Sequence, residues 1–106
     1  GESPLPGDLV SVNYTGTLLD GTKFDSGRFF LFGAGNGEVV RAFDLAVLGD
    51  EESGMPPLRV GGSRVVEAPA SLGYGERGAG CKQDGSDCAI PPGAAVRFTV
   101  QLAAIK

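Results

Sequence analysis

Eighteen glycines and seven prolines punctuate this chain of 106 residues, and their frequency limits the fold class before any element is placed. A helical bundle absorbs such residues poorly, because an internal glycine costs about 0.5–1 kcal/mol against alanine and an internal proline about 3 kcal/mol. A small antiparallel sheet with tight turns and wide loops takes them where they belong, in the turns. The length suits one domain and is too short for two of ordinary size. Such a domain buries roughly 60 to 70% of its unfolded surface, enough for a core without a metal. The apolar fraction of 42% supplies that core. The expectation is an α+β fold, mainly β, forming a single domain over residues 7–106 behind a flexible or trimmed leader over 1–6.

Strand signals follow from residue 9. Val10, Val12 and Tyr14 alternate with Ser11, Asn13 and Thr15, and Asp20-Gly21 marks a turn before Phe24, so residues 10–24 read as a strand and its hairpin return. In Phe29-Phe30-Leu31-Phe32, the period of two puts Phe30 and Phe32 on one face and Phe29 on the other. Val39, Phe43, Ala46 and Val47 fall at helical spacing and predict one short amphipathic helix ending at Gly49. A short strand over 64–68 stops at Pro69, and Val96, Phe98, Val100 and Leu102 alternate in the clearest strand of the chain.

Several functions are excluded by what the chain lacks. Histidine is absent, which removes imidazole bases, His-based triads and His-rich metal cages. The net charge of −4, with no basic stripe, argues against a nucleic-acid surface, and no apolar run is long enough to span a membrane. Gly33-x-Gly35-x-Gly37 misses the dinucleotide spacing, lacks a Walker lysine and is followed by Glu38, which places a negative charge where a phosphate would sit. No cofactor and no metal is expected. There is no basic start followed by an apolar core, so any signal or transit segment is expected to have been removed already.

The segment from Tyr74-Gly75 to Ile90-Pro91-Pro92 is long for so small a domain, and loops of this kind are usually functional or disordered. It carries Cys81 and Cys88, which could be a disulfide, half a metal site or two inert thiols. A zinc site would need ligands from another chain, and the spacing differs from a Cys-x-x-Cys redox centre. Asp84-Gly85 is a turn signal midway between the cysteines, which favours the disulfide and an oxidising or redox-switched compartment. What remains for chemistry is a concave apolar site built from Tyr14, Phe24, Phe30, Val40, Phe43, Tyr74, Ile90 and Phe98, with Asp25 at a strand end among these aromatics. Tyr74 and Ile90 stand at the two mouths of the glycine-rich loop, where surface and function tend to coincide.

Five ordered motifs then carry a resemblance: Val12-Asn13-Tyr14-Thr15-Gly16, Gly21-Thr22-Lys23-Phe24-Asp25-Ser26, Gly37-Glu38-Val39-Val40-Arg41-Ala42-Phe43, Leu72-Gly73-Tyr74-Gly75, and Ile90-Pro91-Pro92 with Phe98. Over residues 7–106 the chain resembles the FKBP family, the tacrolimus-binding peptidyl-prolyl cis-trans isomerases. Gly54-Met55-Pro56-Pro57 and the segment from Gly75 through Cys81 to Cys88 resemble its thylakoid-lumen members in plants and green algae, which carry a disulfide in this loop.

The resemblance implies a bent antiparallel sheet wrapped around a single helix over 38–48. Family members usually begin with another strand before Val10, and the leader over 1–6 looks too short to supply it. It implies a monomer in the chloroplast thylakoid lumen that isomerises X-Pro bonds in a Pro-containing polypeptide and is inhibited by the macrolides tacrolimus and rapamycin. Tyr14, Phe24, Phe30, Val39, Val40, Phe43, Ile90 and Phe98 would then form the substrate-binding pocket. Val40 would offer its N–H, Tyr74 its hydroxyl, and Asp25 would face the twisting carbonyl, with Arg28 as a possible ion-pair partner of Asp25. Phe43 stands where the family has a tryptophan, and Ala89 where it has a larger apolar residue. These two departures motivate the alternative of a binding module or assembly chaperone that recognises a Pro-containing partner with little or no catalysis.

Overall fold

The structure, a computed structural model, describes residues 1–84 and 86–106. Four strands and one helix follow in the order β1 (Leu9–Leu18), β2 (Lys23–Gly33), α1 (Arg41–Leu48), β3 (Ser63–Ala68) and β4 (Val96–Ile105). All pairings are antiparallel, and the sheet order is β2-β1-β4-β3. The long C-terminal strand therefore lies in the middle beside β1, as expected for strands whose alternate residues bury on one face. Val96, Phe98, Val100 and Leu102 are fully or almost fully buried, as are Val10 and Val12. Among the described residues no strand precedes Leu9. Residues 1–6 run along the segment before β3, where the Val60 N–H donates to the Glu2 carbonyl at 2.8 Å, and Pro4 is buried.

The β1–β2 hairpin closes as the Asp20-Gly21 pair predicts. The Thr22 N–H donates to Asp20 Oδ1 at 2.9 Å, and Gly21 takes a φ of 94°, in the left-handed region that glycine enters freely. Of the expected Asp84-Gly85 turn, Gly85 lies outside the described residues.

The helix is shorter than the apolar spacing suggested. It begins at Arg41 rather than Glu38, with Val40 extended at ψ 149° as the residue before it. The cause is local: the Glu38 carboxylate folds back to accept from the Gly33 N–H and the Asn36 side-chain amide, each at 3.3 Å, and so holds residues 33–38 in a turn. Such competing side-chain bonds draw a chain out of helix. The C-terminal end matches the expectation, with the Gly49 N–H donating to the Leu45 carbonyl at 2.8 Å. A Cβ at Gly49 would fall 2.5 Å from the Met55 carbonyl oxygen, so a side chain cannot occupy this stop.

Helix α1 lays Ala42, Phe43, Ala46 and Val47 against the sheet. The Arg64 guanidinium on β3 donates to the Ala46 carbonyl at 2.8 Å and ties the helix to that edge. The opposite end of the helix, where Val40 and Phe43 sit, faces β1 and β2, and there the packing leaves a gap.

Candidate functional site

The gap is a cleft of about 250 Å³ lined by Tyr14, Asp25, Phe30, Glu38, Val39, Val40, Phe43, Tyr74 and Phe98. Its floor is an aromatic cluster. The Phe43 ring, 3% exposed, meets Tyr14, Phe98 and Phe32 edge-to-face with centroids 5.1, 5.2 and 5.3 Å apart. Edge-to-face pairs of this kind add about 0.5–1.5 kcal/mol each beyond the area they bury. Phenylalanine at position 43 thus fits an already crowded floor.

Strand β2 supplies one wall through two irregularities. The register against β1 runs Val12↔Phe30 and then Tyr14↔Gly27, and later Gly16↔Asp25 and then Thr17↔Lys23. Each step leaves extra residues on β2, the signature of a β-bulge. The first takes up Arg28 and Phe29, and the second takes up Phe24. As a result Phe24, Asp25, Phe30 and Phe32 all reach the concave side, which an unbroken strand cannot arrange. Phe29 takes the left-handed φ of 53° and is 65% exposed, so it points away from this side as the alternation of its neighbours predicts.

Two strand glycines make room for the rings. A Cβ on Gly16 would fall 2.8 Å from the Phe24 ring and 2.9 Å from Phe98, and one on Gly27 would fall 2.7 Å from Tyr14 Cε1. Glycine inside a strand often marks such a close approach. That signal was available in the sequence and points to both positions.

The polar groups of the cleft are few. The Tyr14 hydroxyl donates to Asp25 Oδ2 at 2.9 Å, and the Ser26 N–H donates to Asp25 Oδ1 at 2.8 Å. Burial, then the hydrogen bond and charge of Asp25, with a smaller effect of Tyr74, push the Tyr14 phenol up to about 12. Burial, and secondly the charge of Asp25, also raise Tyr74. Both phenols are therefore uncharged donors throughout the physiological range. Asp25 is held by Tyr14 and the Ser26 amide, where sequence reasoning offered Arg28. Glu38, which entered the sequence argument only as an obstacle to phosphate, also lines the cleft. Val40 precedes α1, so its N–H has no carbonyl a turn earlier in the helix to bond.

Ile90 and Phe24 sit elsewhere than expected. They line an adjoining groove of about 200 Å³ with Asp25, Tyr74, Ala79, Gly80 and Ala89, so Tyr74 and Asp25 stand between the two spaces. Ile90 is 3% exposed and belongs to the core, because its backbone pairs with Ala79 in both directions at 3.0 Å and turns the side chain inward. Phe24 reaches the cleft residues through its ring, edge-to-face with Tyr74 at 5.7 Å and with Phe98 at 5.9 Å. The loop over 79–90 is thus a small flap, closed at its base by the Ala79–Ile90 pair and further out by the Cys81–Cys88 disulfide. Among the described residues there is no group of three or more side chains arranged to hold a metal. No helix among them is long and apolar enough to cross a membrane.

Comparison with known proteins agrees with this geometry. The profile of a family described as FKBP-type peptidyl-prolyl cis-trans isomerase matches residues 1–103. The chain belongs to the FKBP family. It is 39% identical over 105 residues to "Peptidyl-prolyl cis-trans isomerase FKBP13, chloroplastic" of Arabidopsis thaliana, covering 95% of this chain and 49% of that protein. It is 38% identical over 109 residues to "Photosynthetic NDH subunit of lumenal location 4, chloroplastic" of the same plant, covering 99% of this chain and 48% of that protein. The chain therefore spans about half the length of these relatives. The crystal structure of AtFKBP13 superposes with a TM-score of 0.91 at 37% identity, covering 100% of this chain and 85% of that one. The fold is the FKBP fold, with a four-stranded antiparallel sheet and one short helix.

Proposed function

We propose that this FKBP-family domain accelerates cis-trans isomerisation of X-Pro peptide bonds, with the proline ring seated on Phe43 among Tyr14, Phe30 and Phe98. The observation that carries this reading is the cleft itself: an aromatic floor with uncharged phenol donors and the carboxylates of Asp25 and Glu38 at its side, and no serine, cysteine or histidine in its lining. Rotation of an amide needs no such group. Resonance gives the planar amide its partial double bond and a barrier of about 18–20 kcal/mol, and each 1.4 kcal/mol or so removed raises the rate about tenfold. The planar form is the more charge-separated one, so an apolar site disfavours it relative to the twisted form. Donors fixed for the twisted geometry stabilise the transition state further. In this role the Tyr74 hydroxyl and the Val40 N–H hold the peptide, and Asp25 faces the carbonyl that rotates.

The packing around Phe43 supports catalysis over binding alone, because the floor is complete without the family's tryptophan. The relatives' names, one chloroplastic isomerase and one lumenal subunit, together with the disulfide, support work in the chloroplast thylakoid lumen on a Pro-containing protein. A protease-coupled or NMR exchange assay on a Leu-Pro or Phe-Pro peptide tests it. Faster cis to trans conversion, blocked by rapamycin or tacrolimus, is expected. No acceleration at micromolar protein refutes the reading.

A further inference from the structure

Asp25 and Phe30 line one cleft, yet they stand five positions apart on a single strand. In a regular strand an odd separation sends two side chains to opposite faces. The strand is re-phased between them by the bulge at Arg28 and Phe29, which stand opposite the single residue Asn13. A bulge of this kind needs something to hold it, because the extra residue has no backbone partner on the neighbouring strand. Phe29 sits in the left-handed region at φ 53°, which a bulky residue rarely adopts, and its ring is largely exposed and does not anchor it.

Its backbone is held instead by a side chain from β1. The Phe29 N–H donates to Asn13 Oδ1 at 2.8 Å. Asn13 Nδ2 in turn donates to Gln101 Oε1 at 3.1 Å, on the strand at the other side of β1. Asn13 and Gln101 are paired residues of the β1–β4 ladder, so the amide is oriented by the sheet's central strand and reaches sideways to the edge strand. It supplies the bulge with a side-chain acceptor from β1. Alanine or leucine here would leave the Phe29 N–H without that acceptor, and serine would be too short to reach it.

We propose that Asn13, oriented by Gln101, is a positioning residue of the isomerase cleft: it pins the β2 bulge and so brings Asp25 and Phe30 to the same face. It acts from outside the cleft, and its consequence for turnover rests on the isomerase reading above. Without the clamp, the strand relaxes towards unbroken pairing and Asp25 leaves the cleft, because Phe30 stays packed against Tyr14, Phe32 and Phe43. Loss of Asp25 removes the acceptor of the Tyr14 hydroxyl, and Tyr14 reports it. The groups that face this phenol are Asp25 and Tyr74.

The test compares Asn13→Ala with Asn13→Asp, which keeps the acceptor to the Phe29 N–H but loses the donor to Gln101 and gains a negative charge. In Asn13→Ala, the Tyr14 phenol should titrate well below its value of about 12. Its kcat/KM on a Leu-Pro peptide should fall tenfold or more, mainly in kcat, and Asn13→Asp should restore most of both. Equal losses in the two variants, or an unchanged Tyr14 titration in Asn13→Ala, would overturn the proposal. Where Asn13→Ala does not fold, the wild-type protein decides. A scalar coupling across the hydrogen bond between the Phe29 amide nitrogen and the Asn13 side-chain carbonyl carbon is expected, and its absence refutes the clamp. The titration and the coupling need no substrate. A wild type that does not isomerise therefore sinks the functional reading while these two measurements still judge the clamp.

Discussion

Gly27→Ala tests how tightly the cleft is built. The added methyl would lie 2.7 Å from Tyr14 Cε1, 3.3 Å from Cζ and 3.4 Å from the hydroxyl oxygen. Carbon atoms pack comfortably at about 3.5–4.0 Å, so the ring must retreat by roughly 0.8 Å or β2 must move away. Retreat is obstructed, because Phe43 and Phe30 flank the ring with centroids at 5.1 and 5.6 Å. Two effects of the substitution oppose each other. Removing a glycine stiffens the unfolded chain and stabilises by about 0.4–1 kcal/mol, whereas overpacking a filled site costs about 1–3 kcal/mol. Overpacking wins, and the net loss should lower Tm by several degrees in a domain of this size. Activity should suffer more than stability. The Tyr14–Asp25 bond of 2.9 Å, stretched by most of the ring's retreat, passes the limit of a useful hydrogen bond. Losing a charge-assisted bond worth about 1.5–3 kcal/mol predicts a fall in kcat/KM of roughly ten- to a hundredfold. A protease-coupled assay measures that fall and thermal melts measure the stability. Gly27→Ala protein with wild-type turnover and an unshifted Tyr14 titration would show that the contact is slack.

Three further outcomes follow from the same geometry. Phe43→Ala empties the floor and should cost about 3–5 kcal/mol of stability, a large share of the 5–15 kcal/mol of an ordinary domain, while abolishing tacrolimus binding; urea melts and calorimetry check both. Reducing Cys81–Cys88, whose residues are 7 apart in sequence, should lower stability by about 2–3 kcal/mol from loop entropy and loosen the flap, seen as a lower Tm with dithiothreitol and faster exchange of the Ala79 and Ile90 amides. The Tyr14 phenol rises on folding from the ordinary 10.0 to about 12, so its contribution to stability is complete below pH 10 and is lost as pH climbs from 10 towards 12. Urea melts from pH 9 to 12 should show this decline in the wild type and a shallower one in Tyr14→Phe.

Much of the architecture was legible because periodicity was strong. Val96 to Leu102 alternate without interruption, and Gly49 and Pro69 end their elements where a side chain or a backbone N–H would obstruct or be wasted. The helix start was not legible. Apolar spacing reaches back to Val39, but the Glu38 side chain competes for the turn before it, and spacing is blind to that competition. Ile90 does close the glycine-rich loop, but where such a loop suggests surface its side chain lies in the core behind the pairing with Ala79. Arg28 was offered to Asp25 by the family resemblance. The partners of Asp25 are instead the Ser26 amide and Tyr14, which lies eleven residues away on β1, two positions from the facing residue Gly16.

The deepest loss of information lies in β2, and its physical cause is parity. A reader applying the period of two to residues 23–33 must choose whether Asp25 or Phe30 faces the cleft, since no regular strand presents both. The family resemblance assigned both without saying how, and the register answers with the bulge at Arg28 and Phe29, while a second bulge at Phe24 brings that ring in beside them. Each bulge needs a support from outside β2: Gly16 leaves space for the Phe24 ring at one, and the Asn13 amide takes the Phe29 N–H at the other. None of these supports is an apolar or ionisable residue, so searches for cores and for chemistry both pass over them. It follows that the length between Asp25 and Phe30 can vary only with a matching change in whatever holds the intervening backbone. A single residue inserted there with the Asn13-held bulge kept would put the aspartate and the ring on opposite faces, whereas regular pairing over six positions would return them to one face only by dispensing with the bulge.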